Sequence, residues 1–222
     1  VVRILLNYLI KNYEAMAKLF VEHLYIVSIT LALSLLIAIP LSILIFRSKL
    51  LSNFLLAVFG AIYSIPSLAL FALLVPLLGI GKKPAIFVLV VYNQYILVRN
   101  VLAGFNSIDP AIIEAAKGMG LSKSQLFFKI QLPLALPIIL GGVRISAVVT
   151  IGIATIAAVI NAGGLGVILF DGLRMNYLPK ILWGTIMSAG LAFLANEIIL
   201  YFERRASLKS KGEFKNSLYL GK

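Results

Sequence analysis

Residues 24–46 run for 23 positions without a charged side chain. As a helix this run is about 34 Å long, enough to cross a hydrocarbon core of roughly 30 Å. It is too long for the core of a secretory signal, and no small-x-small cleavage site follows it. It therefore reads as a span, and four more apolar stretches follow at 52–79, 84–105, 138–160 and 181–202. Composition points the same way: 61% hydrophobic and 13% charged residues leave too few charges to cover a soluble globule of 222 residues. The expected fold is all-α and polytopic, with about five transmembrane helices.

The 20 Lys and Arg against 8 Asp and Glu give a net charge of +12. In a membrane protein this excess belongs on cytoplasmic loops, which argues against a nucleic-acid partner. The chain has no Cys and one His, so disulfides, thiolate metal sites and thiol chemistry are excluded. No enzyme activity, no catalytic residue and no metal site are expected.

Residues 1–22 mix apolar side chains with Arg3, Lys11, Glu14, Lys18 and Glu22 and read as an amphipathic arm on the membrane surface. Residues 23–202 form the membrane domain, and 203–222 a basic cytoplasmic tail positioned to meet membrane lipids. The stretch 52–79 overshoots a bilayer as a straight helix, but Ser64-Ile65-Pro66-Ser67 interrupts it. Pro66 removes a donor and disfavours helix at Ile65, so the segment is either one bent crossing or a short hairpin. With one crossing, twelve Lys and Arg fall on the inner side and seven on the outer. That bias places the N-terminus outside, and the loop 106–137 and the C-terminus inside.

This inner loop is patterned. Asp109-Pro110 is a helix opening, with a capping carboxylate and a proline at the first helical position. Gly118-Met119-Gly120 stops that helix, and Ser122-Lys123-Ser124-Gln125 is a capping box for a second. The second helix is expected to end at Leu132-Pro133. Two short helices about a glycine elbow make a rigid knob.

Glu114, Ala115, Ala116, Gly120, Ile130, Leu132 and Pro133 fit the pattern EAA-x3-G-x9-I-x-LP. In this the chain resembles importer permeases of the ATP-binding-cassette (ABC) superfamily. Ile65 to Phe71, Leu77 to Gly81, Asp109-Pro110 and Ala162 to Gly166 look like the subfamily serving glycine betaine, choline and carnitine. The resemblance implies a type I importer fold in a prokaryotic cell membrane, with Asp109 and the EAA residues docking on a separate ATPase. It further implies two ATP-binding subunits, a second permease subunit (identical or a sister chain) and an extracellular or periplasmic solute-binding protein. ATP and magnesium would sit on the ATPase, because this chain lacks a G-x-x-x-x-G-K-[ST] phosphate loop and needs no cofactor of its own. The alternatives are an ABC permease for another solute, such as an amino acid, and an ATP-independent channel or carrier.

Candidate path residues are Ser64 and Pro66 at the interruption, Tyr92, Asn93 and Tyr95 in the third stretch, and Asn161, Gly163 and Gly164 beyond the fourth. Tyrosine faces attract quaternary ammonium groups, although consecutive helical residues lie about 100° apart and cannot all face one pore. The bland alternatives are tyrosines at helix contacts and a helix-ending glycine turn. His23 reads as an interfacial residue. Arg144 and Glu197 lie roughly 8–9 Å inside the cytoplasmic boundary and are expected either to pair or to snorkel independently to the interface.

Overall fold

A computed structural model describes residues 2–210. Helix α1 spans Val2–Ile45, a run with one proline and no glycine, so nothing separates the amphipathic arm from the first span. The two form one 44-residue helix. The arm is anchored at its start: the Trp183 indole donates to the Leu5 carbonyl at 3.1 Å, and Tyr8 packs edge-on against Tyr177.

Helix α2 (Lys49–Tyr63) starts at a Ser48 cap and α3 (Ser67–Leu78) starts after Pro66, with 90° between them. Helix α4 covers Lys82–Asn106 and α5 covers Pro110–Gly118. Helix α6 (Lys123–Leu126) passes through a π turn (Phe127–Gln131) into α7 (Leu132–Ile156). A 3-10 turn at Ala157–Ile160 closes α7, α8 covers Gly166–Arg174, and α9 covers Leu178–Ser210. Among the described residues there is no strand. The first eight residues of the basic tail, 203–210, continue α9 as helix; 211–222 lies outside the described residues.

Contacts at the two ends of the bundle decide between a bent crossing and a hairpin. Glu22 of α1 pairs with Lys82 at the start of α4 at 3.2 Å, whereas Phe46 stacks on Phe105 at the end of α4. The chain leaves α1 at one end and enters α4 at the other, so α2 and α3 together cross once. Four long apolar helices plus this broken one give five crossings.

The core lies where α4 meets α1 and α7, and α7 in turn packs along α9. Ile26, Phe71, Val88, Leu89, Ile151 and Leu165 are its fully buried side chains. In an apolar solvent every polar group needs an internal partner. Buried hydroxyls accordingly turn back on their own helix, Ser34 to Thr30 O, Ser42 to Ala38 O and Thr150 to Ser146 O, each at 2.7 Å.

Candidate coupling knob and transport path

The knob is built largely by local capping. Asp109 accepts from the Ala111 N–H at 2.8 Å and Pro110 takes the first turn of α5. At the other end Gly120 adopts φ +79° while its N–H donates to Lys117 O at 2.9 Å and that of Leu121 to Ala116 O at 3.3 Å. This left-handed C-terminal motif favours glycine, because a Cβ there costs about 1–2 kcal/mol. The Ser122 hydroxyl and the Gln125 side chain then satisfy each other's backbone N–H groups, closing the capping box.

Leu132-Pro133 does not end the second helix, contrary to the sequence expectation. Pro133 has no N–H, and the turn before it widens so that the Leu132 N–H bonds to Phe127 O. The π register absorbs the proline, and helix runs on to the end of α7. Ile130, Leu132 and Pro133 thus form the joint between knob and span, half-buried, while Glu114, Ala115 and Gly120 are exposed and Ala116 is buried. Ile112, Met119 and Phe128 add apolar surface beside Ala115.

The joint is stiff. Phe46, Phe105, Phe127 and Phe128 stack in series with ring centroids 5.0–5.7 Å apart. Gly104 of α4 is pressed against α7, where an added Cβ would stand 2.9 Å from Ala135 O. Sequence reading passed over this glycine, which no turn signal marks.

At mid-membrane the four polar residues of α4 divide their roles. Asn93 is buried, accepts a hydrogen bond from Ser146 at 2.7 Å and donates to Thr150 and Ser34 at 2.9 and 3.3 Å. It ties α1, α4 and α7 together. Gln94 is buried too, donating to Val90 O. Tyr92 is likewise packed away, and its hydroxyl donates to the Ile65 carbonyl freed by the Ser64–Pro66 break. Tyr95 borders a cavity of about 510 Å³ shared with Tyr63, Arg99 and Asn100, and Gln94 edges a separate, apolar one on the side of Ile29, Leu33 and Phe87. Ser64 and Pro66, which follow Tyr63 in the chain, are exposed.

The opposite end from the knob is clamped. The Gly164 N–H donates to Glu22 at 3.3 Å and the Leu165 N–H to His23 Nδ1 at 3.3 Å. His23 is fully buried. Asn161, at φ 63°, ends the 3-10 turn and is exposed; Gly163 and Gly164 follow at φ +83° and +77°. A Cβ on Gly164 would reach 2.8 Å from His23 Nδ1, so the glycines permit a close approach of loop and helix.

Arg144 pairs with Glu203, at 2.8 Å, and with Asn196 at 3.2 Å, not with Glu197. Glu197 accepts from the neighbouring Asn196 side chain. Successive residues of α9 turn by about 100°, so Asn196 and Glu203, seven apart, share the face toward α7 while Glu197 is rotated off it. Among the described residues no cluster of three His, Asp or Glu could hold a metal ion.

Five crossings interrupted by an exposed, doubly capped knob define a polytopic membrane protein. The chain belongs to the binding-protein-dependent transport system inner membrane component family, whose model matches residues 30–208. It is 35% identical over 199 residues to the osmoprotectant import permease protein OsmW of Salmonella typhimurium, covering 87% of this chain and 93% of that one. It is 34% identical over 188 residues to the glycine betaine/carnitine/choline transport system permease protein OpuCB of Bacillus subtilis, covering 85% and 87%. The fold matches that of the methionine ABC transporter MetNI, solved in inward-facing conformations, with a TM-score of 0.75 at 22% identity over 83% of this chain and 93% of that one.

Proposed function

We propose that this subunit forms half of the path of an importer for quaternary-ammonium osmoprotectants of the glycine betaine, carnitine and choline kind. The observation that carries the solute class is the likeness to OsmW and OpuCB across most of the chain. The likeness to the methionine transporter is one of fold alone.

The knob faces the cytoplasm, as the basic inner loops require, and docks into an ATPase subunit through Ala115, Glu114 and the apolar side chains around them. Ala115 permits close approach of the partner, and Glu114 meets its N–H or basic groups. A second permease subunit supplies the other half of the path, and a solute-binding protein outside the membrane delivers the cargo. ATP binding draws the two docked knobs together, and the stiff joint at Phe105 and Phe127 passes this motion to α4 and α7. The spans then open outward, and hydrolysis resets them. The chain supplies path and lever; nucleotide, magnesium and hydrolysis belong to the ATPase.

The test is uptake of labelled glycine betaine and choline by the complete transporter in a host without its own osmolyte importers. Ala115→Arg places a long charged side chain on the exposed docking face without touching the fold. It is expected to abolish uptake and lower co-purification of the ATPase, while membrane levels of the permease stay normal. Uptake of neither solute by an assembled wild-type complex would overturn the osmoprotectant reading and leave the coupling reading standing. Normal uptake by Ala115→Arg would overturn the docking face.

A further inference from the structure

Arg99 lies five residues past the midpoint of α4, about 8 Å toward the knob. It is exposed, and among the described residues it has no carboxylate partner. Its one hydrogen bond is to the Tyr95 hydroxyl at 3.4 Å, and its guanidinium stands 6.0 Å from the Tyr95 ring centre. A guanidinium at this depth facing lipid is costly, so this face of α4 borders water or a second subunit. The broken backbone supports this independently. Ser64, Ile65 and Pro66 are exposed, and non-helical backbone at membrane depth is tolerated where it is covered by protein or lines a water-filled space.

Arg99 and Tyr63, the last residue of α2 before the break, line one cavity. Its volume of about 510 Å³ falls in the roughly 300–1,000 Å³ range of small-molecule sites. Tyr63 and Tyr95 form one wall, ring centres 5.2 Å apart at 31°, with Tyr92 edge-on behind Tyr63 at 5.5 Å. Gly60 lets the Tyr95 ring come close, since a Cβ there would stand 3.2 Å from it. Arg99 and Asn100 form the polar end, and the Asn100 amide is already committed to Ile96 O. The free recognition groups are therefore a guanidinium and two stacked tyrosines a few ångströms apart.

We propose that this cavity is a solute station selective for zwitterions, in which Arg99 holds a carboxylate and the Tyr63–Tyr95 wall holds the quaternary ammonium group of the same molecule. A guanidinium pairs a carboxylate in two parallel hydrogen bonds, and tyrosine faces attract an alkylated ammonium. Solutes with both groups, such as glycine betaine and carnitine, meet both contacts. Choline has a hydroxyl in place of the carboxylate and meets one. The station thus adds a filter inside the membrane, after the binding protein has made its own selection. This assignment rests on the solute class proposed above.

The experiment uses the complete transporter in proteoliposomes, with the binding protein saturated separately by glycine betaine and by choline. Arg99→Gln is expected to lower glycine betaine uptake about tenfold more than choline uptake, the scale of one lost charge-assisted contact. Arg99→Lys should recover part of the betaine loss, because the charge remains. Tyr95→Ala should lower uptake of both solutes, and ATP hydrolysis stimulated by the unliganded binding protein should be similar in all variants. Equal loss of both solutes in Arg99→Gln, or no recovery in Arg99→Lys, would overturn the carboxylate assignment while leaving the transporter's solute class intact. A wild-type complex that moves neither solute would overturn both.

Discussion

Charges within the membrane of this protein do different jobs, and partner geometry separates them. Arg144 is satisfied by Glu203 and Asn196 across the α7–α9 contact, with both charged side chains three-quarters buried. Among the described residues Arg99 has only a tyrosine hydroxyl. The first is a structural tie and the second a group in reserve for a ligand. Removing one partner of a half-buried pair leaves the other without compensation. Glu203→Gln is therefore expected to destabilise the folded subunit by about 1–3 kcal/mol, read as a lower unfolding midpoint in detergent. Glu197→Gln, whose partner is a neighbouring amide on the same helix, should change it by less than about 0.5 kcal/mol. The double variant Arg144→Gln/Glu203→Gln should be no worse than either single one. A Glu197 effect as large as that of Glu203 would refute this pairing.

At the scale of elements, what the sequence makes legible is what local chemistry decides. The Asp109 cap, the Gly120 elbow and the Ser122–Gln125 box each rest on atoms within a few residues, and all stand in the structure where the sequence places them. Apolar run length in the same way locates the five crossings. Features fixed by distant partners are not legible. No local signal shows that Glu203 rather than Glu197 faces Arg144, or that His23 accepts a hydrogen bond from a loop 142 residues away. Pro133 misled because its local meaning is a helix stop, and the widened turn before it removes that meaning. Helix α8 has no local mark either: its start at Gly166 lies in close contact with Thr155 and Ala158, at the end of α7 and in the turn after it. The same kind of close approach yields a prediction at Gly104. Gly104→Val sets a branched side chain against Ala135 O and Ile139, so α4 and α7 must separate. The variant is expected to fold poorly or, where it assembles, to hydrolyse ATP without moving solute, measured as the ratio of uptake to hydrolysis. A normal ratio at normal yield would mean that this contact is not part of the lever.

Across the whole molecule the contacts define two ends. Glu22, Lys82, Gly164 and the start of α9 gather at one; the knob, Phe46, Phe105 and the end of α9 gather at the other. Helix α4 joins them, passing Asn93 in the packed centre and Arg99 at the cavity before it reaches the Asp109 cap. A displacement of the knob is thereby carried to the cavity by one unbroken helix of 25 residues. Which end faces the cytoplasm rests on the distribution of basic residues, and the absence of Cys from the sequence makes it directly measurable. Single cysteines at Met119, on the knob, and at Asn161, at the clamped end, both fall on exposed positions. With a membrane-impermeant maleimide, Asn161→Cys should label in intact cells and Met119→Cys only in inside-out vesicles. Lys11→Cys, in the exposed first half of α1 beyond the Glu22 clamp, should follow Asn161→Cys, because the bent pair α2 and α3 crosses once. Lys11→Cys labelling with Met119→Cys instead would put both ends of α1 on the knob side, and the five-crossing arrangement would fail with it.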